Sequence, residues 1–473
     1  MSPAAPTRRD GAGPPTDGDR TRLLDQARAL LEANWRGTST VPSSGLYPHQ
    51  WSWDAAFVAI GRSRLDQRRA EQELESLFLG QWTNGMVPHI VFDPAVPAAA
   101  YFPGPGFWRS GPMGASPPGV ATSGITQPPL HARAALEVYR NAGDRPAALA
   151  FLARLYPRLV AQDRYLAGRR DPAGHGLAAI VHPWESGLDN SPVWDAPLAA
   201  MALRPGAVAP YRRCDLAHAE AGDRPTDSDY DRFVYLASRY RDSGYDDARL
   251  AADSPFLIED PLFNAIWLWS THALAEIADL VGADPRPHRA AARRLHDGLL
   301  RWLWAPAAGR FYARDLRRDR LIDKRSIVSL APLLDPELPA EQVEAILADL
   351  RSPHFRAQES VERFLVPSYD LQAPEFSPRR YWRGPVWMNT TWLLWRGLRQ
   401  HGQEQRAAEL GSSGVGLVRR SGFREYFDPY SGAGHGSGDL SWTAALLVDL
   451  LLAPAVRRGG PGDRRGGPPV TRS

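Results

Sequence analysis

Apolar residues recur at helical spacing through most of this chain. In "RTRLLDQARALLEANW", Leu23, Leu24, Ala27, Leu30 and Leu31 fall on one stripe at the i, i+1, i+4, i+7, i+8 positions. Similar stripes predict helices over roughly 128–142, 146–168, 228–242, 262–282, 286–304, 339–350, 386–400, 403–419 and 440–453. Start signals agree with several of them. Pro128-Pro129 precedes one, and "TDSD" at 226–229 is a capping box, in which a Thr and an acid three residues on satisfy each other's free N–H groups. Alternating patterns are few: "RFYARD" (310–315) and "MVPHIVF" (86–92) read as short strands or extended loop.

About a dozen helices joined by long, aromatic-rich loops predict an all-α fold. The architecture expected is a double ring of helices, an (α/α)6 toroid, whose long loops gather at one end as the active site. A two-domain helical array would satisfy the same periodicity. Residues 20–455 are assigned to the helical domain. The Pro/Gly/Arg-rich stretches 1–19 and 456–473 hold too few apolar residues to pack and are assigned to disordered tails.

Composition narrows the function. With 473 residues and 43% hydrophobic content the chain can bury a large core, yet no run of about 18 apolar residues is present to cross a membrane. The N-terminus lacks the apolar core of a secretory signal. Cys214 is the only cysteine, which excludes an intramolecular disulfide and fits a cytoplasmic location. A sequence pI near 9.0 invites a nucleic-acid reading. However, the segment from Arg457 onward carries five arginines against one aspartate, and residues 1–20 balance three of each. Because the whole chain is +3, the part between is −1, so no basic folded face is expected and nucleic acid is set aside.

Five segments share one chemistry: "LYPHQWSWDAAFVAIG" (46–61), "GQWTNGMVPHIVF" (80–92), "HPWESGLDNSPVWD" (182–195), "YWRGPVWMNTTWLLWRG" (381–397) and "FREYFDPYSGAGHGSGDLSWTAAL" (423–446). Tryptophan and tyrosine beside carboxylates, amides and glycines suit a sugar, whose ring stacks on an aromatic while its hydroxyls need acceptors and amides. One tryptophan alone would belong to the core; five such clusters, read as loops, point to a site. In the third, Pro183 and Gly187 stop a helix, and Ser191-Pro192 reads as an N-cap followed by proline at the first helical position. Asp189 therefore sits on a loop at a helix mouth. A glycosidase needs one protonated carboxylic acid and one carboxylate on either side of the scissile bond. Asp189 is the acid candidate and Glu425 its distant partner, whereas Glu185 and Asp195 are expected to bond loop backbone or an arginine. The histidines show no HExxH spacing, and neither a phosphate-binding loop nor a nucleophile elbow is present.

With those residues in view, the chain resembles the bacterial glucosylglycerate/mannosylglycerate hydrolases, a branch of glycoside hydrolase family 63 related to the trehalases. The resemblance covers about 20–455 and rests on "YPHQWSWD", "TSGITQPP", "WESGLDNSP", "RPTDSDYDR", "EDPLFNAI", "YWRGPVW" and "EYFDP…SWTAAL", in family order. It implies an (α/α)6 barrel that hydrolyses an α-glycosidic bond with inversion, takes a small carbohydrate and needs no metal or organic cofactor. It also implies Asp189 as general acid and Glu425 as general base. Tyr47, Trp51, Asp54, Gln127, Trp184, Tyr381, Trp382 and Trp387 match positions around the hexose, and Arg224 with Tyr230 matches the glycerate carboxylate site. A guanidinium beside a phenol is chemically a good carboxylate clamp. The chain departs from the family pattern at Ala55, Met388 and Leu440, which leaves acid and base in place.

Three other readings remain at this level. One is a trehalase-like α-glucosidase acting on a neutral disaccharide or oligosaccharide. Another is a sugar epimerase, which would ordinarily use histidines that the cluster centres lack. The third is a sugar-binding protein with a dead site. Related enzymes often assemble, and the sequence leaves a homo-oligomer open.

Overall fold

The computed structural model describes residues 16–217, 221–356 and 364–453. Most of the two tails therefore lies outside the described residues. The first helix, Asp17–Ala33, begins inside the stretch assigned to the N-terminal tail. Thr16 and Asp19 form a reciprocal capping box there, a local signal that outweighs the poor composition around it.

Six helical segments close into an inner ring. Ser52–Arg62 packs on His131–Asn141, which packs on Pro261–Leu280, then Ile327–Leu334, Met388–Gln400 and Ser441–Leu452; the last packs back on Ser52–Arg62. Between them in sequence come the outer helices Asp17–Ala33, Gln67–Leu79, Arg145–Arg169, Arg286–Gly298, Ala340–Arg351 and Glu404–Ser421, each seated on one or two inner ones. This is the (α/α)6 toroid expected, and ring closure excludes the two-domain array. Strict outer–inner alternation makes every inner helix run the same way. The inner-to-outer connections are short (63–66 and 401–403, for example), while the outer-to-inner ones are long (80–130 and 170–260). All the long loops therefore meet at the N-terminal end of the inner ring.

Two inner segments escaped the periodicity reading. Ser52–Arg62 is buried at every position, so it shows no polar face, and it occupies most of a stretch read as loop. Ile327–Leu334 is a wholly buried 3-10 run containing Pro332. Gln67–Leu79, an outer helix capped by Asp66, was likewise missed, and the predicted 286–304 helix ends at Gly298 before a π-turn at Leu299–Leu303. The clusters at 381–397 and 423–446 also run into helices, at Met388 and Ser441. The strands are two residues long; Gln50–Trp51 pairs antiparallel with Ile90–Val91, and Tyr426–Phe427 with Gly434–His435. Both expected extended stretches contain strands, at Ile90–Val91 and at Arg310–Phe311 and Arg314–Asp315.

Candidate active site

The inner-ring N-termini present their side chains to one cavity. Asp54 comes from the first turn of Ser52–Arg62, Gln127 from just before His131–Asn141, and Leu440 caps Ser441–Leu452. Of the twelve residues singled out from sequence, eleven line this cavity: both acids, together with Tyr47, Trp51, Asp54, Gln127, Trp184, Arg224, Tyr230, Tyr381 and Trp382. Trp387 does not. It lies flat behind Trp382, ring centroids 3.7 Å apart and planes 6° from parallel, and its indole N–H donates to the Tyr381 carbonyl at 3.1 Å. Its place is as a backing for the wall.

Asp189 lies between two short 3-10 segments, Pro183–Ser186 and Pro192–Trp194, which the Pro and Ser-Pro signals start. Gly187 turns the chain between them at φ +74°. A Cβ there would stand 2.5 Å from the Trp53 ring, so both the turn and the close approach require glycine. Neighbouring bonds hold this loop. Asn190 accepts from the Trp382 N–H at 3.0 Å, and Asp195 takes a two-pronged bond from Arg383 at 2.8 and 2.6 Å. Glu185, fully buried, accepts from Arg170 at 3.0 and 2.5 Å and from the backbone of Thr126 and Val181. The structural roles expected for Glu185 and Asp195 are thus both realised, through arginine and, for Glu185, loop backbone.

The two candidate acids differ in environment. Burial pushes the Asp189 carboxyl up to about 7, with Arg224 pulling against it and the Glu425 charge adding to it. Burial, and then the Glu425 charge, likewise holds Asp54 well above the ordinary carboxylate range. Glu425, 2% exposed, accepts three hydrogen bonds: from the Tyr47 hydroxyl at 2.7 Å, from Arg224 Nη2 at 3.0 Å and from the Ser437 N–H at 3.0 Å. Gly436 passes directly over it at φ +66°, where a Cβ would come within 2.2 Å of Oε2.

Arg224 is 3% exposed and engaged on both arms, since Nη1 donates to the Tyr47 hydroxyl at 3.1 Å; its Nε–H has no partner among the described residues. The guanidinium lies 4.5 Å from the Tyr381 ring centroid, and Tyr381 itself is in the left-handed region at φ +41°. Tyr230, the other half of the expected carboxylate clamp, donates to the Phe102 carbonyl at 3.3 Å. In this state the arginine serves the Glu425 carboxylate.

Sequence reasoning missed Trp53, His89, Tyr101, Phe102, Asp215 and Trp442, which also line the cavity. Trp53, His89 and Trp442 lie inside clusters already quoted, so proximity to their neighbours was the available signal. Tyr101 and Phe102 stand in a Pro/Ala-rich stretch, and Asp215 follows a run of arginines; nothing local marks them. Arg213 fixes Asp215 with bonds of 3.0 and 2.6 Å. His89 is driven down to about 3 by burial, then by His182, and is neutral. Among the described residues no group of three or more His, Cys, Asp or Glu is placed to hold a metal ion, and no helix is long and apolar enough to cross a membrane.

Comparison with known proteins adds the following. The family model described as the mannosylglycerate hydrolase MGH1-like glycoside hydrolase domain matches residues 47–443. A mannosylglycerate hydrolase of Rubrobacter radiotolerans is 43% identical over 430 residues, 91% of this chain and 97% of that protein. A glucosylglycerate hydrolase of Mycolicibacterium hassiacum is 39% identical over 451 residues, 91% of this chain and 98% of its own length. The crystal structure of a family 63 mannosylglycerate hydrolase from Thermus thermophilus, in complex with Tris and D-glycerate, superposes with a TM-score of 0.83 at 39% identity, covering 90% of this chain and 99% of that one.

Proposed function

The chain belongs to the mannosylglycerate hydrolase MGH1-like glycoside hydrolases of family 63, and from that premise we propose that it cleaves the α-glycosidic bond of a hexosyl glycerate, mannosylglycerate or glucosylglycerate, by single displacement. Asp189 gives its proton to the glycosidic oxygen as the bond from that oxygen to the anomeric carbon breaks. Glu425 takes a proton from the water that attacks the anomeric carbon on the opposite face, so the hexose leaves with inverted configuration. The carboxyl groups of such a pair stand about 6.5–9.5 Å apart to admit the water.

One observation carries this reading: two carboxyl groups share one aromatic-walled cavity in unlike environments. Asp189 is held protonatable near neutrality, and Glu425 is bonded by a phenol, a guanidinium and a backbone N–H. Unlike surroundings for two carboxyls in one cavity are the ground on which an acid and a base are assigned in a glycosidase. Tyr47, Trp51, Asp54, Gln127, Trp184, Tyr381 and Trp382 would hold the hexose, Trp387 would brace Trp382, and Arg224 with Tyr230 would receive the glycerate carboxylate.

A second reading has its own support. Arg224 already has a counter-charge in Glu425, which fits a neutral aglycone as in a trehalase-like α-glucosidase. An NMR time course on mannosylglycerate, glucosylglycerate and trehalose separates the two. Release of glycerate with the β-hexose appearing first supports the proposal, and the faster glyceryl substrate names the hexose. Hydrolysis of trehalose alone overturns it in favour of the second reading.

A further inference from the structure

A second, chemically distinct depression, with space of about 570 Å³, lies apart from the catalytic cavity, beside the last turns of His131–Asn141 and Met388–Gln400. Arg64, Arg133, Arg140, Arg396 and Arg399 line it, and among the described residues Glu137 is the one carboxylate in the lining. None of these reaches the catalytic cavity.

The acids nearby are already spoken for. Glu137, 4% exposed, accepts from Arg133, from Arg140 at 3.2 Å and from Arg396 at 2.8 and 3.3 Å. Asp449, fully buried behind the wall, pairs with Arg64 at 2.9 Å and accepts from the Trp392 indole at 2.9 Å. At the rim Glu276 meets Arg140 at 2.6 Å, and Glu404 stands 3.8 Å from Arg399. Arg396 also stands 3.8 Å from Asp449, so each of the five guanidinia has a carboxylate beside it, and five guanidinia against these four carboxylates leave an excess of positive charge. Burial depresses Arg133 to about 9; Glu137 works against that, while Arg396 and Arg140 add to it. Burial would raise Glu137, yet Arg396, Arg133 and Arg140 hold it at about 2.

Helix C-termini welcome cations, so one arginine per end has a structural reason to be there. That reason does not cover Arg133, which stands in the first turn of His131–Asn141 and still lines the space. The Arg133 guanidinium lies 4.4 Å from the Trp269 ring centroid, and its Nε–H, like the Trp269 indole N–H, is buried without a partner among the described residues, so the fork meets the space through its outer nitrogens. Asn141 and Gln400 add amides to the rim. Planar guanidinium forks lining an open space are a donor set suited to a phosphoryl oxyanion.

We infer that this depression binds a small phosphoryl anion, either inorganic phosphate or the phosphate group of a phosphorylated metabolite. Calorimetric titration of the full chain with inorganic phosphate and, separately, glucose 6-phosphate, at constant ionic strength set with NaCl, tests it. Saturable one-to-one binding of at least one probe is expected, unchanged by saturating D-glycerate. Arg140→Gln and Arg399→Gln should each weaken it at least about tenfold, which is about 1.4 kcal/mol, with hexosyl glycerate turnover unaltered. The tighter probe identifies the source of the phosphoryl group. Arg399→Gln leaves the Glu137 and Asp449 pairs intact, so it decides alone should Arg140→Gln unfold. Absence of saturable binding, displacement by glycerate, or binding indifferent to Arg399→Gln overturns the site.

Discussion

Arg224 and Glu425 form an ion pair at 3.0 Å in which both side chains are 2% exposed, and the Tyr47 hydroxyl bridges the same two groups. The arginine expected to meet the substrate's carboxylate is thus also the residue that orients the candidate base. Removing one partner of a buried pair leaves the other charge uncompensated, typically at a cost of about 3–5 kcal/mol. Arg224→Ala should therefore lower turnover of both hexosyl glycerate and any neutral glycoside, by about 100-fold or more through misplacement of the base. The glyceryl substrate should lose additionally in KM. A loss confined to the glyceryl substrate would show that the pair does not position Glu425.

Asp189→Asn and Glu425→Gln should each reduce kcat by about 10²–10⁴-fold, the ordinary worth of a positioned acid or base. Their stabilities should diverge. At pH 5, where the Asp189 carboxyl is already protonated in the fold, Asp189→Asn keeps the fold's thermal midpoint. Glu425→Gln strips Arg224 of its counter-charge and lowers it. Thermal unfolding alongside kinetics reads both effects.

The pH dependence follows from Asp189, raised from 3.8 to about 7. Above that value the acid has lost its proton, so kcat/KM should fall as pH rises through about 7. The stability effect has a definite sign. Between pH 4 and about 7 the folded state holds a proton that the unfolded chain has released, so this group makes stability decline with rising pH. Glu73 and Asp260, each raised to about 7, chiefly by burial, act in the same direction. Asp189→Asn should flatten the slope, and unfolding curves at pH 5 and pH 8 measure it.

Gly436→Ala places a methyl group where Glu425 Oε2 now stands, in a backbone region that alanine resists. The carboxylate must move, and a displacement of about 1 Å can cost about 100-fold in rate. Circular dichroism should stay that of the wild type while kcat falls. Unchanged kcat would remove Glu425 Oε2 from the reacting geometry.

Trp387→Phe withdraws the indole that backs Trp382 and donates to the Tyr381 carbonyl. Two cavity-lining residues then lose part of their backing while no side chain that faces the cavity is changed. KM should rise several-fold with a smaller change in kcat, and the thermal midpoint should fall. An unaffected KM would mean that Trp382 keeps its orientation unaided.

Most outer helices were legible in the sequence because each has one wet face: Asp17–Ala33, Arg145–Arg169 and Glu404–Ser421 carry the 3.6-residue alternation that solvent on one side imposes, and Gln67–Leu79, which was passed over, carries it too in Ala70, Leu74, Leu77 and Phe78. Capping and stop signals at Thr226, Pro183, Gly187 and Ser191 are local chemistry and held locally. The sequence by itself also determined which residue types the site would use, since aromatic and acidic residues clustered on loops mark a sugar cavity whatever their order in space. Tertiary structure alone decided the rest. Ser52–Arg62 and Ile327–Leu334 are dry on every side, so the alternation that would announce them is absent. Trp387 and Trp382 read alike in "YWRGPVW", and only stacking determines which ring faces the cavity. Tyr101, Phe102 and Asp215 joined the site, and Arg224 found Glu425 201 residues away, because closing a ring brings its long loops to one end, and no local signal along the chain encodes a contact made only by closure.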